Sequence, residues 1–204
     1  MPGGSTRLER MRATLRREAE IITNLAVQLN QGFEAAVDLL FETRGHVLVG
    51  GAGTSNATAR RFAHLLCCCG VPAVFISAAD CLHGASGVVT AADTVVLISK
   101  GGKTVEVNQC ARIVRQRGAR LVALTEEAES ELGLLADAIV VVRIPPESDP
   151  FGMVATSSSL AVAAMSDAIC ETLLFEKGYT REKFAVTHPG GAVGERIQRE
   201  GILK

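Results

Sequence analysis

The feature that most constrains the fold of this chain is the alternation of short apolar runs with helical segments from residue 46 onward. The runs are rich in β-branched residues and end at glycine or small polar residues, as buried strands often do. They predict strands at about 46–50, 73–77, 94–98, 120–125 and 138–143. Because parallel strands need crossover connections, which helices usually provide, this alternation favours a parallel sheet covered by helices. We predict an α/β three-layer sandwich whose five-stranded parallel sheet has the flavodoxin-like strand order.

Two loops of the predicted sheet carry residue types that are suited to phosphate binding. The segment Gly51–Asn56 follows the first strand, and Ser99–Thr104 follows the third. Glycine allows the backbone to approach an anion, while hydroxyl groups and the first N–H groups of a helix bind it. Because strands one and three are neighbours in this strand order, both loops reach the edge where ligands bind. Ordinary turns that cap the following helices are the alternative interpretation.

Two nucleotide-binding motifs do not fit these loops. The dinucleotide fingerprint needs a third glycine where Asn56 stands, and an acidic residue about 20 positions later. The P-loop motif needs a glycine where Leu97 stands. We therefore predict no cofactor, and no metal site either, since none of the six cysteines forms a C-x-x-C pair.

Composition limits the partners that the chain can have. With 204 residues, 48% of them hydrophobic, the chain can bury a full core as one domain over residues 1–204. A net charge of -1 argues against nucleic acid or an anionic membrane as the main partner. We expect no secretory signal and no membrane span, because the N-terminal segment is polar and no run of about 18 apolar residues occurs. The cysteines, including the adjacent Cys67–Cys69, are expected to be reduced in a cytoplasm and to pack as small hydrophobic residues.

Helices are expected in residues 1–44, ahead of an α/β core in residues 46–197. The first helix is predicted to begin near Thr6 behind a Ser5 cap, and Gly32 is predicted to interrupt it before a second helix. The apolar residues of the first helix are expected to pack on the sheet or on a second subunit. These residues are Leu8, Met11, Leu15, Ile22, Leu25, Val27 and Leu29.

Within the core, Gly70 and Gly118 are predicted to end helices over 57–69 and 105–117. The segment Pro145–Pro150 predicts a rigid connection that cannot lie inside a helix. A hydroxyl-rich segment follows it and starts a helix of small residues that runs to about Glu176.

Titratable residues in loops are the candidates for chemistry. His83 and His188 lie in glycine-containing loops, whereas His64 belongs to an apolar helical pattern and is expected to be structural. Glu129 follows the fourth predicted strand. Composition alone does not separate it from its neighbours Glu126, Glu127 and Glu131, any of which could be a charge at a helix start.

Residues from about 46 to 197 resemble the SIS (sugar isomerase) domain, and among SIS proteins the arabinose-5-phosphate isomerases. The matching segments occur in the family's order and are Gly51–Ser55, Leu82–Gly84, Ile98–Thr104, Glu129–Leu132, Ala155–Ser158 and His188–Gly191. The resemblance implies phosphosugar binding by dimers or tetramers whose sites are built across subunits. These isomerases often continue into paired CBS domains, which are expected to be absent here.

The resemblance also implies roles for particular residues. Ser55, Ser99 and Thr104 would bind phosphate, while Glu129 and His188 would occupy acid–base positions. His83 would line the site, and the substrate-binding loops would also contain Gly53, Thr54, Lys100, Gly101 and Lys103. The family usually has lysine at the position of Thr54, serine at that of Gly101 and glutamate at that of Lys103.

The expected function is therefore an aldose–ketose sugar-phosphate isomerase that acts through an enediolate. Such a reaction needs a base near the carbon, an acid near the oxygens and a grip on the phosphate. The alternative is a non-catalytic phosphosugar sensor, which the departures at Thr54 and Lys103 favour. A third interpretation is a scaffold with a vestigial pocket. Lys100 and Lys103 together suggest a ligand with a second anionic group, or they simply extend into solvent.

Overall fold

The structure, a computed structural model, describes residues 6–203. Five strands are present: β1 (Val47–Gly51), β2 (Ala73–Ser77), β3 (Thr94–Ile98), β4 (Arg120–Thr125) and β5 (Ala138–Val141). The α-helices are α1 (Arg7–Leu25), α2 (Gln31–Phe41), α3 (Gly53–Cys68), α4 (Ala78–Cys81), α5 (Val105–Gln116), α6 (Glu131–Leu135), α7 (Ser157–Glu176), α8 (Arg181–Thr187) and α9 (Gly191–Arg199). Short 3-10 turns occupy Ala26–Gln28, Ala85–Val88, Pro146–Ser148 and Pro150–Gly152.

The five strands form one parallel sheet in the order β2-β1-β3-β4-β5. This order confirms the predicted flavodoxin-like arrangement. Strands β1 and β3 are neighbours, and Gly51 at the end of β1 lies beside Ile98 at the end of β3. Every residue of both strands is buried. The segments that follow them therefore leave the sheet side by side.

Helices cover both faces of the sheet, because alternate strand residues point to opposite sides. One face buries Val49, Val96 and Leu124 against α2, α3 and α7. The other face buries Leu48, Leu97 and Leu121 against α4, α5 and α6. The two clusters confirm the three-layer sandwich.

The N-terminal region begins as predicted at Thr6, although the cap is Thr6 itself. Its hydroxyl accepts from the Glu9 backbone N–H at 3.2 Å, and the Glu9 carboxylate accepts from the Thr6 backbone N–H at 2.6 Å. Ser5, the predicted cap, lies outside the described residues. The predicted interruption at Gly32 is wrong, because the chain turns at Ala26–Gln28 and Asn30 caps α2. Gly32 lies in the first turn of α2.

Most of the apolar residues of α1 do not pack on the sheet. Leu25 and its neighbour Ile21 are buried in the core, whereas Leu8, Met11 and Leu15 are exposed. These three residues are three and four positions apart, so they share one face of the helix. An exposed apolar face is left on α1.

Helix α3 begins at Gly53, four residues before its predicted start. The hydroxyl residues of the first loop therefore lie on the first turn of a helix.

Near the end of the same helix, only Cys69 of the three adjacent cysteines is buried, whereas Cys67 is exposed and Cys68 is partly exposed. The prediction that all three pack as hydrophobic residues holds for Cys69 alone.

Helix α7 is long and apolar enough to cross a membrane by length and composition alone. In this structure Met165, Ile169 and Leu173 are buried in the core against the sheet layer. Core helices commonly have this composition, so packing accounts for it.

The two predicted glycine caps are confirmed by their backbone angles. Gly70 has φ +81° and Gly118 has φ +75°, both in the left-handed region that helix ends favour. The ring of Tyr179 lies against Gly70, where an added Cβ would be 2.3 Å from the ring. Gly70 therefore allows the segment after α7 to close over the end of α3.

Candidate active site

The second phosphate loop, which we call the β3 loop (Ser99–Thr104), is tightly folded. Ser99 is 3% exposed, and its hydroxyl lies 3.0 Å from the hydroxyl of Thr104. The Gly102 N–H donates to the Ser99 carbonyl at 3.1 Å, and the Asn108 side-chain amide donates to the Gly102 carbonyl at 3.1 Å. The two hydroxyls that the sequence assigned to phosphate are thus adjacent at the start of α5.

Gly102 is required by the shape of this loop. Its φ of +62° is unfavourable for other residues, and an added Cβ would lie 1.9 Å from the Ser130 hydroxyl. Ser130 caps α6, so any side chain at 102 would displace that cap. Gly101 is different, since it is exposed and an added Cβ would meet no atom within 4 Å.

The first phosphate loop approaches the β3 loop from the first turn of α3. An added Cβ at Gly51 would lie 3.0 Å from the Ser55 carbonyl and 3.1 Å from the Ile98 carbonyl. Gly51 therefore lets α3 start close to the ends of β1 and β3. Thr54 is exposed and Ser55 is partly buried at this point.

A cavity of about 40 Å³ lies beside the first turn of α3. It is bounded by α3, the ends of β3 and β4, and the start of α7. Its lining residues are Thr54, Ser55, Thr58, Ile98, Lys100, Leu124, Thr125, Glu126, Val142, Ala155, Ser158, Ser159 and Val162. The cavity is thus polar on the side of the loops and apolar on the side of the sheet.

Lys100 is held at this cavity by a buried carboxylate. Its ammonium nitrogen lies 2.9 Å from Asp149 Oδ2, and the Asp149 side chain is 1% exposed. Asp149 also accepts from the Ser158 backbone N–H at 3.1 Å and from the Ser158 hydroxyl at 2.5 Å. These bonds outweigh burial and hold the pKa of Asp149 below its usual range. Asp149 therefore joins the start of α7 to Lys100.

Glu126 is the second charged residue in the lining of the cavity. Its carboxylate lies 3.8 Å from the Lys100 ammonium. Its backbone N–H donates to the Lys100 carbonyl at 2.8 Å, which ties the ends of β3 and β4 together. Burial raises the pKa of Glu126, with Lys100 opposing the shift and the Asp149 charge adding to it.

Several predicted residues lie outside the cavity lining within one subunit. Lys103 is exposed at the N-terminal side of α5 and forms no ion pair with residues 6–203. Glu129 is exposed in the loop between β4 and α6, and His83 is exposed after α4. Gly53, which has φ +55°, is exposed at the start of α3.

His188 lies far from the phosphate loops in the same subunit. Its Nε2 is 3.5 Å from the Cys68 sulfur at the end of α3, and its ring stacks on Phe184 at 3.7 Å. Ser55 is at the opposite end of α3, 13 residues earlier, which corresponds to about 20 Å along a helix. The structure therefore does not bring His188 to the loops of its own chain. His64, expected to be structural, is exposed near the same sulfur, at 3.7 Å.

Sequence reasoning missed Glu126 and Ser158, which line the cavity, and Asp149, which holds Lys100 there. Glu126 was indistinguishable from other glutamates, and Asp149 lay in a proline-rich connection with no motif. The hydroxyl-rich start of α7 was a signal for Ser158, but nothing in the pattern linked it to Lys100. In the range 6–203, no three His, Cys, Asp or Glu side chains are grouped to hold a metal ion.

The comparison with protein families decides the relationship of this chain. The SIS domain family matches residues 39–171. The chain is a member of the SIS domain family. Among curated SIS proteins, it is 33% identical over 180 residues to the arabinose 5-phosphate isomerase KdsD of Escherichia coli K12. That match covers 88% of this chain and 55% of the relative, so the chain spans about half the length of the curated relatives it matches.

Solved structures support the same SIS assignment. A Listeria monocytogenes protein, described as a candidate sugar-phosphate isomerase, superposes with a TM-score of 0.87 at 34% identity over 92% of this chain and all of its own. The c3406 protein of E. coli CFT073, solved in complex with arabinose 5-phosphate, superposes with a TM-score of 0.86 at 26% identity. That match covers 89% of this chain and 97% of the c3406 chain.

Proposed function

We propose that this chain is an aldose–ketose sugar-phosphate isomerase that acts through an enediolate. The observation that carries the proposal is the placement of two hydroxyl-bearing segments after neighbouring strands. The Ser99 and Thr104 hydroxyls lie 3.0 Å apart after β3, and Ser55 lies on the first turn of α3, which follows β1. Ser55 also lines the cavity that contains one ammonium and one carboxylate, from Lys100 and Glu126. Arabinose 5-phosphate is the first substrate to test, because the curated relatives carry its name and c3406 was solved in complex with it.

The phosphate is assigned to Ser55, Ser99 and Thr104, with the backbone of the two loops. Gly53, Thr54 and Gly101 allow close approach at the mouth of the site. Lys100 and the exposed Lys103 add positive charge, and His83 is assigned to the lining of the site. A carboxylate of the loop between β4 and α6 serves as the base; Glu129 holds the position expected from the family.

A homo-oligomer, dimeric or tetrameric, completes this site in the proposal. His188 lies beside Cys68, which is about 20 Å along α3 from Ser55 of the same chain, so the proposal takes the histidine from a second subunit. The exposed face of α1, formed by Leu8, Met11 and Leu15, is a suitable contact for a second copy. We place the active protein in the cytoplasm, where phosphorylated sugars are metabolised.

The test of ligand class compares arabinose 5-phosphate with arabinose in a thermal-shift or calorimetric assay. We expect the phosphate ester to bind and the free sugar to bind far more weakly. The matched variant Ser99→Ala removes one phosphate donor without changing charge. Equal binding of arabinose and its phosphate would refute the proposal.

A non-catalytic phosphosugar sensor is the second candidate, and one observation favours it. Thr54 and Lys103 stand where the family usually has a lysine and a glutamate. The two functions separate in D2O, where an isomerase exchanges the C2 proton of the sugar phosphate with solvent and a sensor does not. Binding without exchange for a panel of pentose and hexose phosphates would support the sensor.

The shared site has its own test. Ser99→Ala and His188→Ala, each weakly active alone, are unfolded together and refolded as a mixture. Mixed dimers contain one site with both native residues, so about a quarter of wild-type activity is expected to return. If no activity returns although mixed dimers form, the site is not shared in this way.

A further inference from the structure

The cavity next to the phosphate loops is lined by one cation and one anion. Among its lining residues, all within the described part of the chain, only Lys100 and Glu126 are charged. The other polar side chains are hydroxyls, from Thr54, Ser55, Thr58, Thr125, Ser158 and Ser159. At about 40 Å³ the cavity can hold only part of a sugar phosphate, and Lys100 and Glu126 are the charged groups that it offers to that part.

Lys100 is fixed rather than loosely exposed. Its ammonium donates to Asp149 at 2.9 Å, and Asp149 is itself anchored by the backbone and the hydroxyl of Ser158. An ammonium group has three N–H donors, and no other donation by Lys100 is found among the described residues. Donors remain for the oxygens of a ligand.

Glu126 is held close to this ammonium by its backbone. The Glu126 N–H donates to the Lys100 carbonyl, and the Thr125 hydroxyl donates to the same carbonyl at 3.0 Å. The carboxylate is 3.8 Å from the ammonium, beyond a normal hydrogen bond, so the two side chains are neighbours with space between them.

The position of Glu126 differs from that of the other candidate carboxylate. Glu129 follows three residues later in the same loop, but it is exposed and does not line the cavity. Burial makes Glu126 a stronger base than an exposed carboxylate, and the charges that act on it are those of Lys100, Asp149, Glu127 and Arg143. A raised pKa makes this carboxylate better suited to accept a proton than an exposed carboxylate is.

We infer that Glu126 is the carboxylate that moves the proton between C1 and C2, and that Lys100 is the cation that stabilises the enediolate. This inference rests on the proposed isomerase function and names residues for it. Asp149 acts through Lys100 and is a positioning residue.

The proposed step conserves every atom of the substrate. Glu126 takes the proton from C2, and the electron pair of that C–H bond forms the C1–C2 double bond as the C1 oxygen becomes negative. The Lys100 ammonium stabilises this oxygen. The proton of the C2 hydroxyl passes to the C1 oxygen, and the Glu126 carboxyl returns its proton to C1. The product is a ketone at C2.

The test uses Glu126→Gln, which keeps the shape of the side chain and removes its basicity. The full chain is incubated with arabinose 5-phosphate in D2O, and C2 proton exchange is followed by NMR. Exchange is expected to fall at least about 100-fold, the usual contribution of a general base, while the calorimetric Kd stays within about threefold. Glu131→Gln, an exposed glutamate at the start of α6 that is not among the charges acting on Glu126, is the matched control and should exchange at the wild-type rate.

Two further variants keep the inference falsifiable. Glu126→Asp retains a carboxylate and should retain more exchange than Glu126→Gln, with a displaced pH profile. Wild-type exchange in Glu126→Gln overturns the inference, most clearly if Glu129→Gln abolishes exchange. A wild-type protein that binds sugar phosphates but never exchanges C2 overturns the isomerase function itself, and this inference with it. Thermal unfolding of each variant separates loss of chemistry from loss of fold.

Discussion

Asp149→Asn is the substitution whose effect on stability follows most directly from the structure. The carboxylate is almost completely buried and accepts three hydrogen bonds, two from Ser158 and one from Lys100. Asparagine has nearly the same shape and can still accept from the Ser158 backbone N–H. Its side-chain NH2 group, however, would face the Ser158 hydroxyl and the Lys100 ammonium. Both of these groups donate hydrogen bonds to the Asp149 carboxylate in the wild-type protein.

The magnitude follows from these three bonds. A hydrogen bond to a charged group contributes about 1.5–3 kcal/mol, compared with about 1 kcal/mol for a neutral one. Ser158 can rotate its hydroxyl to accept, so its bonds are weakened rather than lost. The Lys100 side chain is 38% exposed, so water can solvate its ammonium in the variant. The loss of the Lys100–Asp149 pair therefore lowers the free energy of unfolding by less than about 1 kcal/mol. We expect Asp149→Asn to lower the free energy of unfolding by about 2–3 kcal/mol.

The assay is urea unfolding at pH 7, repeated at lower pH, with thermal unfolding alongside. A loss of about 2–3 kcal/mol corresponds to a fall in Tm of about 4–12 °C for a chain of this size. Because the pKa of Asp149 is lowered in the folded state, its contribution is complete above its unfolded pKa, about 4. The contribution is lost as the pH falls through the lowered folded value. The difference in free energy of unfolding between wild type and Asp149→Asn should therefore become smaller below about pH 4.

The control is Asp167→Asn. Asp167 pairs with Arg61 at 2.6 Å, but both side chains are nearly half exposed, so the expected loss is below about 1 kcal/mol. If Asp149→Asn costs no more than Asp167→Asn at pH 7, the role assigned to the buried carboxylate is wrong. If the difference in free energy of unfolding between wild type and Asp149→Asn does not change with pH, the loss comes from altered packing and not from the missing charge.

Three further substitutions test the two loops. Ser99→Ala should weaken sugar-phosphate binding by about 1–3 kcal/mol in calorimetry, because a donor to a charged group is removed; unchanged affinity would move the phosphate elsewhere. Gly102→Ala should lower the free energy of unfolding by at least about 1 kcal/mol in urea, since φ is positive and the Cβ meets Ser130, whereas Gly101→Ala should change it little. Lys103→Glu should weaken binding of a sugar bisphosphate more than of a monophosphate, and more at low salt, where charges act beyond about 10 Å; equal losses would exclude a second anionic group at this lysine.

Sequence patterns predicted the sheet well because its strands depend on local composition. The buried strands β1 and β3 are apolar or glycine throughout except for Thr94, so their extents were within one residue of the prediction. Their order followed from general topology rules, which leave few arrangements for five parallel strands. The helix caps at Gly70 and Gly118 were also predictable, since positive φ strongly favours glycine.

The N-terminal region shows where such reasoning fails. A periodic apolar pattern indicates a buried face but does not specify what buries it. In α1 the pattern is present, yet only Ile21 and Leu25 reach the core of this subunit. The helix cap is a smaller error: it lies at Thr6 and was predicted at Ser5. Adjacent serine and threonine residues can both cap a helix, so the pattern alone does not choose between them.

The site could be predicted only in part, because contacts between distant segments leave no local pattern. Ser99 and Thr104 share one loop, and their contact was foreseeable from spacing. Lys100 and Asp149 are 49 residues apart and meet only because the start of α7 lies over the end of β3. The location of His188 beside Cys68 depends in the same way on how the C-terminal helices close over α3.

The departures of this chain from its family acquire a different meaning once the cavity is considered as a whole. Considered one at a time, Thr54 stands in place of a lysine and removes a cation, and Lys103 stands in place of a glutamate and reverses a charge. Each change by itself favours loss of catalysis. The cavity beside Thr54 nevertheless contains one ammonium and one carboxylate, from Lys100 and Glu126, at the ends of β3 and β4. An enediolate requires a positive charge near its oxygens and a base near its carbon, not a fixed position in the chain for either. Asp149 is buried against the Lys100 ammonium and therefore fixes the position of this cation before a ligand arrives. The chemistry inferred here therefore depends on this set of three charges together, and single positions compared with relatives do not reveal it.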